Sequence, residues 1–248
     1  MQRVSLAAAL LAAILLAAPF SASAHHLRIV GENIPPYAYF EDGEPSGCFV
    51  GVIAEILRRQ DRDPHSVRLL PWARGYHDLQ HKKGMVLFPV ADTQKHRSRF
   101  WLVGPLAEIE PMFFRNAQEN ISIADLNDAK KVNKISVTRE HGAHRRLEEL
   151  GFDNLDLSNG HFSDFAKLAV GRVSLAVMGL RYFEAFLRQH RLLKPEMFAP
   201  TGVSLGKESL YIAFSPDVPR EVVQRWQETL DEMKRDGTYD KIINTFRQ

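Results

Sequence analysis

Met85-Val86-Leu87-Phe88-Pro89-Val90 is an unbroken apolar run of strand length. A strand of this kind has no face to offer to water, so it belongs inside a sheet covered on both sides. A second such strand is read from Val173 to Met178. Each closes a series in which strand and helix patterns alternate. In the first, Leu27-Arg28-Ile29-Val30 and Val67-Arg68-Leu69-Leu70 read as strands. Between them Val52, Ile53, Ile56 and Leu57 mark the apolar stripe of a helix over Val50 to Arg59, and Arg74 to His81 makes a short helix. In the second, strands are predicted at Met112 to Phe114, Lys134 to Arg139 and Asn154 to Leu157. Helices are predicted at Gly142 to Leu150, Phe162 to Val170 and Arg181 to His190. The β-α-β order implies parallel sheets with helices on both faces, an α/β fold built from two similar units.

The C-terminal stretch does not make a third unit. Leu210 to Phe214 reads as a strand. Asp217-Val218-Pro219 then opens a helix with Val222, Val223, Trp226, Leu230 and Met233 on its apolar side, and Tyr239 to Phe246 forms a last short helix. Two helices without a sheet need a surface to lie on. If the first unit supplies it, the chain crosses between units twice and makes a two-lobed, hinged clamp with a cleft. The expected division is residues 25–110 with 216–248 in lobe 1 and residues 111–215 in lobe 2.

Composition narrows the function classes. With 45% apolar and 25% charged residues among 248, disordered, collagen-like and coiled-coil chains are excluded. Lys+Arg 32 against Asp+Glu 30 leaves +2, with no basic arm or patch, so no nucleic-acid partner is expected. The one cysteine, Cys48, allows neither an internal disulfide nor a cysteine-based zinc cluster. The N-terminus has the order of a secretory signal peptide. Met1-Gln2-Arg3 starts it, Leu6 to Ala18 is uncharged, Pro19 breaks the run, and Ala22-Ser23-Ala24 offers a small-residue cleavage site. That apolar run is shorter than the ~20 residues a spanning helix needs. No cysteine follows it for lipid attachment. The expected product is cleaved after Ala24 and resides in the periplasm.

In order along the chain stand Ile34-Pro35-Pro36-Tyr37-Ala38-Tyr39, Gly47-Cys48-Phe49-Val50-Gly51, Pro71-Trp72-Ala73-Arg74, Arg99-Phe100-Trp101-Leu102-Val103-Gly104-Pro105 and Asp236-Gly237-Thr238-Tyr239-Asp240-Lys241-Ile242. This series resembles the periplasmic solute-binding proteins of the polar-amino-acid type, bacterial extracellular solute-binding protein family three. The resemblance implies a periplasmic-binding-protein-like (type II) fold. Two α/β lobes joined by two hinge crossings would close over a small molecule for an inner-membrane ABC transporter. It implies no cofactor, and a monomer.

The chain departs from that family at the amino acid clamp. Where the resemblance places an arginine three residues after a threonine, Thr93-Gln94-Lys95-His96 offers His96, with Arg97 next. An imidazole is a poorer carboxylate fork than a guanidinium. Where an aspartate for the ligand ammonium is expected, Val177-Met178-Gly179 ends in Gly179. Arg139-Glu140-His141-Gly142 replaces the usual small turn of the second lobe. The sequence therefore argues against a standard α-amino acid ligand.

Loops after parallel strands are where open α/β sheets bind ligands. Glu32, Tyr37 and Tyr39 follow the first strand. Trp72 and Arg74 follow the second and offer a flat wall and a charged fork. Arg139 and His141 stand before a helix whose N-terminus suits an anion. With Thr93, His96 and Arg97 these are the candidate contacts to a small polar or anionic ligand. Among ten histidines, His77/His81 and His141/His144 have helical spacing, and His25-His26 would bind copper only incidentally. Zinc wants three or four ligands, no HExxH occurs, and no metal site is expected. A lyase on the same scaffold would use Glu32, His96 or His141 as its acid–base group. No nucleophile-elbow or phosphate-loop motif supports an enzyme, and a ligand sensor is the third alternative.

Overall fold

The computed structural model describes residues 26–245. The export segment expected at 1–24 lies outside them. The chain folds as two five-stranded sheets. The first has the order β4-β1-β5-β12-β6, from β1 (Arg28–Glu32), β4 (Arg68–Leu70), β5 (Met85–Ala91), β6 (Trp101–Ile109) and β12 (Glu208–Phe214). The second has the order β11-β7-β10-β8-β9, from β7 (Pro111–Asn116), β8 (Ile135–Thr138), β9 (Leu155–Ser158), β10 (Leu175–Gly179) and β11 (Phe198–Ser204). A hairpin of β2 (Tyr39–Glu41) and β3 (Glu44–Ser46) stands apart.

In the first sheet β1 runs parallel to β4 and β5, with Ile29 opposite Val86 and Val30 opposite Leu87. Every residue of β5 is buried, as its lack of a polar face requires. Helix α1 (Cys48–Arg59) packs Val52, Ile53, Ile56 and Leu57 onto one face. Helix α2 (Trp72–His81) places Trp72, Tyr76 and Leu79 on the other. Pro89 cannot donate to a ladder, and the β5–β12 register shifts beside it, between Tyr211 and Ala213. The short helix α3 (Gln94–Arg97) follows β5, capped by Thr93 Oγ1, which accepts from the His96 N–H at 3.2 Å.

The second lobe repeats the plan. Helix α5 (Gly142–Glu149) and α4 (Leu126–Lys131) cover one face around Phe113, Ile135 and Leu147. Helices α6 (His161–Ala169) and α7 (Leu180–Gln189) cover the other around Phe114, Phe165 and Phe186. The C-terminal helices α8 (Arg220–Arg235) and α9 (Thr238–Thr245) lie on lobe 1. Trp226 is fully buried and meets Phe214 edge-on at 5.1 Å.

One expected boundary needs correction. The expected division places residues 208–214 in lobe 2, but they form β12 in the first sheet, between β5 and β6. Its alternation buries Leu210, Ile212 and Phe214 against the lobe 1 core, a surface that local pattern cannot name. The chain thus passes from one sheet to the other around Glu110 and returns after β11, with Glu208 opposite Ile109 at the crossing. Strands β6 and β11 and the β2–β3 hairpin also escape the sequence reading. In β6 the cause is Gly104-Pro105, which reads as a turn. Gln227 instead binds the Gly104 backbone on both sides, accepting from its N–H at 2.9 Å and donating to its carbonyl at 3.1 Å.

Candidate functional site

The strand ends of the two sheets face each other across a cleft, and the lobes are in contact. An added Cβ on Gly142, at the start of α5, would lie 2.4 Å from both Ala91 Cβ and Glu208 Oε1 of lobe 1. Only glycine allows that approach. Lys95 of lobe 1 meets Glu140 of lobe 2 at 3.2 Å. Between the lobes lies a cavity of about 40 Å³, with Trp72, Glu208, His141, His161 and Tyr182 among its walls. At the ~10–15 Å³ that a buried water needs, this is room for about three waters.

A file of rings crosses the cleft. Trp72 stacks on Tyr76 at 5.2 Å and meets His141 edge-on at 5.1 Å. His141 meets His161 at 4.8 Å, and His161 meets Tyr182 at 5.1 Å, each pair near perpendicular. The fold sets each ring by a strand–helix junction. Trp72 begins α2 after β4, His141 precedes α5 after β8, His161 begins α6 after β9, and Tyr182 is in the first turn of α7 after β10.

Glu32 ends β1, is 5% exposed, and turns Oε2 to His141 Nε2 at 3.5 Å. Burial alone would push the His141 imidazole down. The Glu32 carboxylate, backed by Glu208 and Asp164, outweighs it and raises the pKa. For His161 burial prevails, and with His141 beside it holds the imidazole well below the usual histidine range. Burial likewise raises Glu208, against the pull of His141, and takes Tyr182 well above a free phenol. Behind His161 the Asp164 carboxylate accepts from Ser136 and Thr138 hydroxyls, each at 2.7 Å. The His161 Nδ1 faces Asp164 Oδ2 at 3.8 Å and Thr138 Oγ1 at 3.5 Å. Among the described residues, Glu32 Oε2, His141 Nδ1, His161 Nε2 and Trp72 Nε1 are buried without a hydrogen-bond partner.

Of the residues singled out in the sequence, Tyr37, Trp72 and His141 line this cavity and Glu32 abuts it through His141. The others lie away from it. Arg74 is exposed on α2, between the inward-facing Trp72 and Gly75, and Arg139 is exposed after β8. Arg97 is exposed and clamps Asp92 with both arms of its guanidinium, so it does not replace the missing fork. Tyr39 belongs to the hairpin, opposite Ser46. Thr93 caps α3 and borders a separate crevice with Arg146 and Glu149. His96 is fully buried behind Tyr76, donating from Nδ1 to the Ala91 carbonyl at 2.7 Å.

Three residues were missed: His161, Tyr182 and Glu208. For His161 a signal was available, since α6 begins at this residue and not at Phe162, directly after a parallel strand. No third ligand is expected beside the histidine pairs in sequence, and the structure brings three potential donors together. Glu32, His141 and His161 each offer a ligand atom, and the three atoms lie within 4.8 Å of one another. They come from residue 32 and from two junctions 20 residues apart, so no local spacing could show them together.

Two α/β lobes, two hinge crossings and a cavity between opposed strand ends define a two-lobed binding protein of the periplasmic type. The family model for bacterial extracellular solute-binding proteins, family 3, matches residues 27–248, and the chain belongs to that family. A histidine kinase sensor domain with similarity to periplasmic binding proteins superposes with a TM-score of 0.78 at 22% identity. The match covers 90% of this chain and 96% of that one. An ancestral arginine-binding protein bound to arginine gives 0.73 at 21% identity over 90% and 100%. The amino acid ABC transporter substrate-binding protein AbpA from Streptococcus pneumoniae, bound to L-arginine, gives 0.71 at 15% over 88% and 93%. At these identities the likeness is one of fold. No curated protein sequence matches the chain. The family is one of binding proteins rather than enzymes.

Proposed function

We propose that this protein is exported to the periplasm with its first 24 residues removed, and that it acts there as a monomeric solute-binding protein. Its lobes, residues 26–109 with 208–245 and residues 111–207, close over a small polar molecule for delivery to an inner-membrane ABC transporter. The observation that carries this is the interlobe cavity, walled by Trp72 and Glu208 of one lobe and His141, His161 and Tyr182 of the other. Closure buries polar atoms without partners, each at a cost of about 1–3 kcal/mol. A ligand that pairs with them in the closed state offsets that cost, which couples binding to closure.

Of the two ligand classes expected from sequence, the geometry supports the polar one and speaks against the anionic one. The arginines proposed as an anion cradle lie outside the cavity, whereas Glu208 lines it and Glu32 stands beside it. Tyr37, Trp72 and His141 remain the proposed contacts from the sequence. A thermal-shift screen of amino acids, organic acids, polar neutral compounds and small amines tests this. A neutral or cationic compound is expected to raise the melting temperature without being consumed, with about 2.7 kcal/mol of stabilisation at a hundredfold excess over Kd. A set of hits confined to organic acids refutes the charge argument, and turnover of a bound compound refutes the binding role.

A sensing role is the second reading, favoured by the likeness in fold to a histidine kinase sensor domain. Uptake of the labelled ligand separates the two. Cells lacking the protein lose uptake if it delivers cargo and keep it if it reports.

A further inference from the structure

We propose that Glu32, His141 and His161 form a three-ligand site for a divalent first-row transition ion of the zinc type, bridging the two lobes and open to the cavity at its fourth position. The donor set is the one such ions prefer, two imidazoles and a carboxylate, and three protein ligands with one open position is the usual form of an accessible zinc site. The three donor atoms lie within 4.8 Å of one another. Tetrahedral bonds of ~2.0–2.1 Å set donors about 3.3 Å apart. Glu32 Oε2 and His141 Nε2, at 3.5 Å, are already near that separation, so only His161 has to approach.

The surroundings point the same way. Metal-binding histidines usually give their second ring nitrogen to a carboxylate or another acceptor, which fixes the ring. His161 turns Nδ1 toward Asp164 and Thr138, and Asp164 is in turn fixed by Ser136 and Thr138. That leaves His161 Nε2 buried and without a hydrogen-bond partner among the described residues, as is Glu32 Oε2. Both side chains are more than nine-tenths buried. Two imidazoles and a carboxylate converging on one point of the cleft from two lobes are a donor set that a single metal ion can use at once. Space for about three waters suits an ion with a solvent or small ligand at its open position.

Glu32 belongs to lobe 1 and both histidines to lobe 2, so the ion would hold the lobes shut. The inference rests on the solute-binding reading only in taking the cleft as the ligand site.

The test uses the untagged protein, stripped with a chelator and titrated with zinc chloride by calorimetry, and with cobalt chloride by visible absorption. One ion per chain is expected, with the intense visible bands of four-coordinate cobalt and a decrease in radius of gyration by solution scattering. Glu32→Gln, His141→Gln and His161→Gln should each weaken zinc by at least about tenfold, since loss of an outer-shell partner alone costs 10–100-fold. Asp164→Asn, a positioning change, should weaken it less and keep the cobalt spectrum. His77→Gln with His81→Gln, which removes the stacked surface pair at 4.3 Å, should change nothing. Circular dichroism in chelator checks that each variant is folded. Absence of micromolar zinc binding by the wild-type protein overturns the inference, as does binding that survives the paired His141→Gln, His161→Gln change or is lost with His77 and His81. An organic compound that raises the melting temperature in chelator while zinc does not would refute the metal site and leave solute binding standing.

Discussion

His96 and His161 both sit in the first turn of a helix that follows a strand of parallel sheet, one in each lobe, and both are buried. His96 donates to the Ala91 carbonyl at 2.7 Å and closes edge-on against Tyr76 at 5.5 Å, with Phe100 alongside. It is a member of the lobe 1 core. His161 has only the longer approaches of Nδ1 to Thr138 at 3.5 Å and Asp164 at 3.8 Å, and its ring stands between His141 and Tyr182 in the cleft wall. Burial of a histidine therefore carries no meaning until its bonds are counted. Nε2 is without a hydrogen-bond partner in both; the short Nδ1 hydrogen bond to its own lobe and its place in the core make His96 part of the architecture, whereas His161 turns its ring to the cavity and is available to whatever enters.

The difference is open to a direct break. His96→Ala removes a packed ring and its hydrogen bond, and should cost on the order of 2–4 kcal/mol of unfolding free energy. His161→Leu removes a buried polar group whose Nε2 has no bond to lose, and should fall within about 1 kcal/mol of the parent or above it. Urea unfolding of both in chelator measures this. Equal losses would show that His161 is as structural as His96.

Acid sharpens the contrast. Burial takes the His96 pKa down to about 4, with Arg145, His141 and Lys95 adding to the effect and the Ala91 hydrogen bond opposing it. Between pH 6.5 and 4 the unfolded chain takes up a proton that folded His96 refuses. Stability is therefore complete above the unfolded value and is lost as pH falls through that window. The loss amounts to at most about 3 kcal/mol at 1.36 kcal/mol per pH unit. His96→Phe should flatten unfolding free energy against pH in that window relative to the parent. Parallel curves for the two proteins would show that His96 is protonated in the fold.

What the sequence made legible follows the same division between local and distant. Met85 to Val90 names a two-faced strand because apolar continuity is local, and β5 is fully buried. Trp72 and His141 were within reach because a residue at a parallel strand's end is pointed at the cleft by topology alone. Arg74 and Arg139 obeyed the same positional rule and still face solvent. A helix turns 100° per residue, so two residues past Trp72 is a different face. The meeting of Glu32, His141 and His161 depends on how two lobes close, and nothing within one window of sequence encodes that. The lobe of residues 208–214 is hidden for the same reason, since a strand's alternation shows that it has an inner face but not which sheet will cover it.

The smallest expected effect tests the placement of charge around the cleft. Arg74→Ala and Arg139→Ala remove exposed side chains that do not line the cavity. Surface changes of this kind lie within about 0.5 kcal/mol of neutral. That corresponds to about a twofold change in affinity for the compound found in the thermal-shift screen. Trp72→Ala, which removes the wall against His141, should weaken the same compound by more than about tenfold, equivalent to 1.4 kcal/mol. Titration calorimetry of the three variants ranks them. A tenfold loss from either arginine would return an anion cradle to the rim, because at ~8 Å the screening length of physiological salt leaves a solvated guanidinium little reach into a cavity it does not border.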